Sequence, residues 1–284
     1  MNLRELYLYF LKELSTLYEL NEAAVISDRV FESVAAITKP VMIADPAKQL
    51  NESITDLLKK KLQELLQHRP VQYVLGEAWF YKLKFKVDEN VLIPRPETEE
   101  LVDIVINELR SAKEFSSKSL LDIGTGSGCI PVTIKKNLPE VNITAIDISA
   151  AALSIAMENA QLHHAIISFK EIDFLNKDQR NQLGEFDIIV SNPPYIPVNE
   201  IEKMDRHVTD YEPHTALFVP ENSPLLFYKN IAAFGQLHLK KGGKIFMETH
   251  EAYAKKVADH FATFYKNVNI VKDISGKERM VIAS

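Results

Sequence analysis

Leu120-Leu121-Asp122-Ile123-Gly124-Thr125-Gly126-Ser127-Gly128 is the stretch that decides how this chain folds. An apolar run ends in three glycines at alternate positions, and a helical pattern over 130–137 follows at once. Strand, tight turn and helix in that order open a parallel α/β unit, and glycines at the turn let backbone approach a ligand closely. The third glycine comes two residues after the second, where a dinucleotide fingerprint needs three, and position 129 is cysteine. The spacing argues against a pyrophosphate-binding nicotinamide site, and a Walker phosphate loop is absent.

Working outward from this turn, strands and helices alternate. Apolar runs predict strands at Ser119–Ile123, 143–148, 166–172, 186–190 and 244–249, with helices over 130–137, 150–161, 225–239 and 252–264. Repeated βα units imply a mainly parallel, doubly wound sheet. Two last strands, 268–274 and 279–283, meet at Ser275-Gly276 and predict an antiparallel edge strand.

Upstream the pattern is helical. Leu3, Leu6, Phe10, Leu14, Leu17 and Tyr18 recur at three- and four-residue spacing, and residues 21–36 suggest a second helix. Ile54, Leu57, Leu58, Leu62, Leu65 and Leu66 mark another, with Asn51 or Ser53 as its cap. No glycine precedes Gly76, so residues 1–76 are expected to form a small all-α domain. Phe80, Leu83, Phe85 and Val87 alternate with polar residues, and Asp88-Glu89-Asn90 offers a turn. That makes 77–94 a β-hairpin linker ahead of an α/β domain over 95–284. Pro94-Arg95-Pro96-Glu97-Thr98-Glu99-Glu100 starts a helix with acidic residues where the helix dipole favours them, and is a candidate lip over a pocket where the domains meet.

Composition narrows the function. The 284 residues are 46% hydrophobic and 25% charged, the profile of a soluble globular protein. A formal net charge of −6 argues against a general nucleic-acid binder. The single cysteine, Cys129, rules out a disulfide framework and a cysteine zinc site, and reads as a packing residue. The first 15 residues are broken by Arg4, Glu5, Lys12 and Glu13, and no apolar run approaches a membrane span, so a cytoplasmic protein is expected. The adjacent pair His163-His164 reads as a helix end, and the remaining histidines lack ligand spacing, so no metal is expected.

Candidate ligand groups gather at the ends of successive strands. The glycine turn supplies Gly124, Thr125, Gly126, Ser127 and Gly128. Asp147 ends the next strand, about 20 residues beyond the turn, where a carboxylate accepts from ribose hydroxyls. Asp173 and Phe174 end the third, suited to an adenine amino group and to packing on the base. The fourth ends in Asn192-Pro193-Pro194-Tyr195, where two prolines stiffen the backbone and Asn192 projects an amide with one acceptor and two donors. Singly, each of these serves as readily as a cap, core or turn residue. In an open α/β sheet ligands bind at the carboxyl ends of the strands, and here four ends in a row carry suitable groups.

This set resembles the class I S-adenosylmethionine-dependent methyltransferases, and Asn-Pro-Pro-Tyr resembles those acting on a planar nitrogen. Further stretches are similar to the release factor glutamine N5-methyltransferases, the HemK/PrmC family. They are Pro70 to Gly76, the hairpin from Phe80 to Lys86, Leu92 to Glu99, Asp122 to Ile130, Ser191 to Ile196, Tyr211-Glu212-Pro213 with Ala216-Leu217-Phe218, and Glu278-Arg279-Met280. The matches run from residue 70 to the end, with departures at Phe174, where some members have tryptophan, and at Val219-Pro220, where glycines often follow. The resemblance implies a Rossmann-like methyltransferase domain, S-adenosyl-L-methionine as cofactor, and a peptide chain release factor as partner through the glutamine of its Gly-Gly-Gln loop. It also implies roles. Asn192, through its side-chain oxygen, and Pro193, through its carbonyl, grip the amide NH2, while Pro194 and Tyr195 pack the substrate. The glycine turn, Asp147, Asp173, Phe174 and Asn192 hold the cofactor.

The rival reading on the same motif is an N-methyltransferase for an exocyclic base amine of DNA, rRNA or tRNA. Such an enzyme should carry a basic nucleic-acid face, whereas the net charge here is negative and the N-terminal region mixes charges of both signs. A binding protein that has lost catalysis would not need Asn-Pro-Pro-Tyr.

Overall fold

The computed structural model describes residues 1–111 and 118–284. They divide into two compact units, one of Met1–Glu77 with Asp205–Tyr211, the other of Ala78–Met204 with Glu212–Ser284.

The first unit holds α1 (Leu3–Leu14), α2 (Leu20–Ala35), α3 (Lys39–Ala44), α4 (Glu52–Leu65) and α5 (Val71–Leu75). Asn2 and Glu5 close a reciprocal capping box on α1, and Asn51 caps α4 through the N–H of Ile54. The apolar stripes meet in one core: Leu3, Leu6, Phe10 and Leu14 pack with Val30 and Phe31 of α2 and with Leu58, Leu62 and Leu65 of α4. Leu17 and Leu57 are the exceptions, 37% and 42% exposed. Leu17 falls beyond the end of α1, and Leu57 sits one residue, about 100°, off the buried stripe. Tyr211 is tied into this unit by its hydroxyl, which donates to the Gln67 carbonyl at 2.6 Å.

The second unit begins with a hairpin, β1 (Glu77–Phe80) and β2 (Leu83–Lys86). The chain reverses at Tyr81-Lys82, both at positive φ (50° and 62°), inside the 80–86 stretch. Contacts from the next helix support the turn. The Tyr81 N–H donates to Glu99 at 2.9 Å and its hydroxyl to Asp103, both on α6 (Pro96–Ser111), which compensates for a strained turn. Asp88 to Asn90 forms a separate turn after β2, closed by the Val91 N–H on the Asp88 carbonyl. Phe80 and Phe85 pack edge to face at 6.0 Å within the same core as α6, so the hairpin is built into this unit.

The βα alternation follows: β3 (Ser119–Ile123), α7 (Cys129–Asn137), β4 (Asn142–Asp147), α8 (Ala150–Leu162), β5 (Ser168–Glu171), α9 (Lys177–Arg180) and β6 (Phe186–Ser191). Beyond them lie the short strands β7 (Ile196–Pro197) and β8 (Phe218–Val219), with α10 (Arg206–Thr209) and α11 (His214–Leu217) between. Then come α12 (Leu226–His238), β9 (Leu239–Glu248), α13 (Ala254–Phe261), β10 (Val268–Lys272) and β11 (Glu278–Ala283). Seven strands form one sheet in the order β10-β11-β9-β6-β3-β4-β5. β9, β6, β3, β4 and β5 run parallel, and β11 pairs antiparallel with both β9 and β10, its hairpin partner across the Ser275-Gly276 turn. Buried residues fill both faces: Val132, Ile134, Val105 and Leu120 on one side, Ile189, Tyr228, Phe234 and Phe261 on the other. The result is a doubly wound α/β sheet with an antiparallel edge, a class I methyltransferase fold. Its order reverses between β3 and β6, the place where such sheets bind ligands.

Candidate active site

The carboxyl ends of β3, β4 and β6, the turn after β5, and the stretches 90–92 and 213–227 enclose a cavity of about 410 Å³. A volume in this range suits a nucleoside-sized ligand. Gly124, Gly126, Asp147, Asp173, Phe174, Asn192, Pro193 and Pro194 all line it.

The glycine turn shapes one wall. Gly124, Gly126 and Gly128 all have positive φ, at 75°, 54° and 77°. Gly128 also lets α7 lie against α8, because a Cβ there would stand 3.1 Å from the Ala156 Cβ. Thr125, Ser127 and Gly128 are not in the cavity wall. Thr125 and Ser127 are buried, and the Ser127 carbonyl accepts from Asn159 at 2.9 Å. Gly124 and Gly126 line the cavity, Thr125 and Ser127 are buried away from it, and Gly128 packs against α8.

Asp147 is pre-oriented by backbone. Its Oδ2 accepts from the Gly126 N–H and its Oδ1 from the Ser149 N–H, each at 2.9 Å. Burial pushes its carboxyl upward, and those donors offset part of the rise. The carboxylate retains acceptor capacity beyond these donors, as a ribose hydroxyl requires. Asp173 is fixed by the Leu175 N–H on Oδ1 at 2.9 Å. The Phe174 ring is backed by the Arg180 guanidinium at 5.3 Å and by Phe234, edge to face at 5.4 Å. Arg180 is itself anchored by the Phe174 carbonyl and Asn230, so this apolar wall is rigid.

At the end of β6, Ser191 donates to the Ile123 carbonyl at 2.8 Å and locks two strand ends together. Asn192 then turns its Nδ2 to the Thr98 hydroxyl at 3.1 Å. Thr98, 2% exposed, donates on to Glu248 at 2.6 Å, and Glu248, 1% exposed, also takes the Tyr195 hydroxyl at 3.4 Å. Tyr195 lies behind the cavity wall, edge to face with His250 at 6.0 Å. Burial pushes the Glu248 carboxyl up to about 7, with Glu97 adding and the Thr98 bond opposing. The Tyr195 phenol is raised by burial and then by the Glu248 charge.

Sequence reasoning missed four residues. Thr98 and Glu248 are joined only by tertiary structure, although Glu248, like Asp147, is an acid ending an apolar strand. Glu212, 3% exposed, accepts from Arg95 at 2.5 Å and from the Ile93 N–H at 3.2 Å, which fastens the stretch just before α6. The fourth, Asp122, is fully buried beside the glycine turn with neither oxygen hydrogen-bonded among the described residues. Burial raises its carboxyl to about 7, with Asp147 adding to the rise and Thr125 near enough to soften it. An unpartnered buried carboxylate of this kind is costly without a ligand donor. Pro94 to Glu100 itself stays out of the cavity wall, which Asn90, Val91 and Leu92 form instead.

Cys129 is buried, and burial pushes its thiol to about 12, consistent with a packing role. His163 ends α8 and its Nε2 lies 2.7 Å from the Lys84 carbonyl. Among the described residues, no group of three or more His, Cys, Asp or Glu could hold a metal ion, and no helix is long and apolar enough to cross a membrane.

Comparison with known proteins bears on this geometry. Residues 100–208 match the Methyltransferase small domain family. The chain is 37% identical to the release factor glutamine methyltransferase of Flavobacterium psychrophilum over 96% of this chain and 95% of that protein. It is 42% identical to the protein of that name from Bacteroides thetaiotaomicron over 80% of each. Among solved structures, the hMettl16 catalytic domain in complex with a MAT2A 3'UTR hairpin aligns with a TM-score of 0.56. The two are 14% identical, over 81% of this chain and 82% of that one, a likeness of fold alone.

Proposed function

This chain belongs to the release factor glutamine methyltransferase family, and on that premise we propose that it methylates the side-chain amide nitrogen, N5, of the Gly-Gly-Gln glutamine in peptide chain release factors, with S-adenosyl-L-methionine as donor. The observation that carries this reading is Asn192-Pro193-Pro194 in the same cavity wall as Asp147, Asp173 and Phe174.

The residues fit that donor. Asp147 offers two pre-oriented oxygens to ribose hydroxyls, and Phe174 a rigid apolar face to the base. Asp122 supplies an orphaned, buried carboxylate suited to a cationic amine nearby. When bound, the cofactor supplies an electrophilic methyl on a positively charged sulfur, a leaving group already activated.

What remains is to make an amide nitrogen nucleophilic, and that falls to the chain's own residues. An amide lone pair is delocalised into its carbonyl. Two acceptors, the Asn192 side-chain oxygen and the Pro193 carbonyl, hold the two N–H groups and turn the face of the nitrogen that carries the lone pair towards the methyl. Because prolines 193 and 194 fix the backbone, the acceptors are preorganised. Alignment at ~3–3.5 Å is worth roughly 7–11 kcal/mol of the barrier. Methylation makes the nitrogen strongly acidic, so its extra proton leaves to water, and a strong base is not needed. In the same reading residues 1–76 recognise the release factor and 95–284 carry out transfer, with the 77–94 hairpin stretch packed into the transfer unit. The reaction runs in the cytoplasm without direct nucleic-acid contact, in keeping with a net charge of −6.

Asn192→Ala tests the central role. Transfer is expected to fall by roughly 10²- to 10³-fold, the scale set by loss of one preorganised polar contact, while S-adenosylmethionine affinity changes only modestly. Unchanged turnover would sink the mechanism.

A further inference from the structure

We propose that Thr98 and Glu248 are positioning residues, a hydroxyl and a carboxylate in series that fix which end of the Asn192 amide faces the cavity. The inference rests on the reading that Asn192 accepts from the substrate NH2, and it adds the reason Asn192 presents an acceptor at all.

A carboxylate has lone pairs and no hydrogen. Thr98 Oγ1 lies 2.6 Å from Glu248 Oε2, both side chains buried, so an ionised Glu248 claims the Thr98 hydrogen. Thr98 is left with lone pairs alone to offer the Asn192 amide 3.1 Å away. The amide answers with its NH2, and its carbonyl oxygen is left for the substrate. Tyr195 directs its hydroxyl to the other oxygen of Glu248 at 3.4 Å, so two hydroxyls point their hydrogens at one carboxylate, one at each oxygen.

Protonating Glu248 permits the reverse polarity. The acid then donates to Thr98, the hydroxyl hydrogen swings to Asn192, and a 180° flip of the amide becomes favourable. Asn192 would then show NH2 to the substrate NH2, donor against donor. The groups around Glu248 set where this happens. Burial pushes its carboxyl up to about 7 and Glu97 of α6 adds to the rise, while Thr98, Tyr195 and Arg279 of β11 hold it down. Tyr228 of α12 donates to the Glu248 backbone carbonyl at 3.1 Å and leaves the carboxylate alone, and the Cys129 thiol of α7 feels the Glu248 charge. The protonation change therefore falls near neutrality, with an active basic side and an inactive acidic side.

The test compares wild type, Thr98→Val, Thr98→Ser, Glu248→Gln and Asn192→Ala with a purified release factor and S-adenosylmethionine, from about pH 5.5 to 9. Thr98→Val keeps shape and removes the hydroxyl. Its kcat at the basic end is expected to drop roughly 10- to 100-fold, with cofactor Kd by calorimetry within about twofold and the acid limb of the kcat profile lost. Thr98→Ser should restore both rate and limb. If calorimetry shows that Thr98→Val no longer folds, Glu248→Gln carries the test, because it too should abolish the acid limb. Wild-type kcat and an intact limb in Thr98→Val, or an intact limb in Glu248→Gln, overturn the inference. Asn192→Ala separates the two failures: if it is inactive in that assay only the series is wrong, and if it is active the reading of Asn192 falls too.

Discussion

Asp147 shows how single residues divide the work of the site. Two backbone N–H groups, from Gly126 and Ser149, hold its carboxylate in place before any ligand arrives. Removing it leaves Asn192 and Pro193 untouched. Asp147→Ala should therefore raise the S-adenosylmethionine Kd by roughly 10- to 100-fold, the net loss of one hydrogen bond to a charged group at about 1.5–3 kcal/mol. At saturating cofactor kcat should change little, and a collapse of kcat with unchanged Kd would show that Asp147 acts elsewhere. Asp147, Asp173 and Asn192 were all legible in the sequence, because a polar residue ending an apolar run is a local pattern. Thr98 and Glu248 are separated by 150 positions and meet only when α6 packs beside β9. Nothing in the local pattern of either announces the partner. The buried residues of the glycine turn show a finer limit: Thr125 and Ser127 share the motif with Gly124 and Gly126, yet only the glycines reach the cavity.

Elements reveal what the turn glycines are for. Gly128 sits at φ +77° with the Ala156 Cβ 3.1 Å from where its own Cβ would stand, so it serves helix packing as well as backbone geometry. Gly128→Ala should cost about 1–3 kcal/mol of stability, from left-handed strain and from parting α7 and α8. A shifted urea midpoint at unchanged slope would report it, and an unshifted midpoint would mean that the helices yield freely. Strand and helix positions were read from hydrophobic period alone, and the antiparallel edge from Ser275-Gly276. The hairpin was legible, but its turn was not. Tyr81-Lys82 carries none of the residues that favour positive φ, and the Glu99 and Asp103 contacts that hold it come from α6. Likewise Asp205–Tyr211 groups with the helical unit although no pattern in that heptapeptide marks it.

For the whole molecule, the two raised carboxyls make stability depend on pH. Asp122 and Glu248 are each pushed by burial to about 7. Each holds its proton more tightly folded than unfolded, so its stabilising contribution is complete below the ordinary carboxylate range and is lost as pH climbs through about 7. The ligand-free protein should lose up to about 3 kcal/mol per group between pH 5 and 8, measurable as a falling urea midpoint. Asp187 does not blur that window. Burial would push it up, but the Ser119 N–H and the Lys118 and Lys240 ammoniums hold it well below its usual value, so its effect lies at more acid pH. S-adenosylmethionine, bringing a cationic amine towards Asp122, should flatten the slope, and a slope that rises with pH would contradict the account. Mass spectrometry of a purified release factor incubated with this protein and S-adenosylmethionine reports directly on the methyl acceptor. One added methyl group on the Gly-Gly-Gln glutamine is the predicted result. An unmodified release factor, with methyl transfer to the exocyclic amines of RNA or DNA in a parallel reaction, would contradict it.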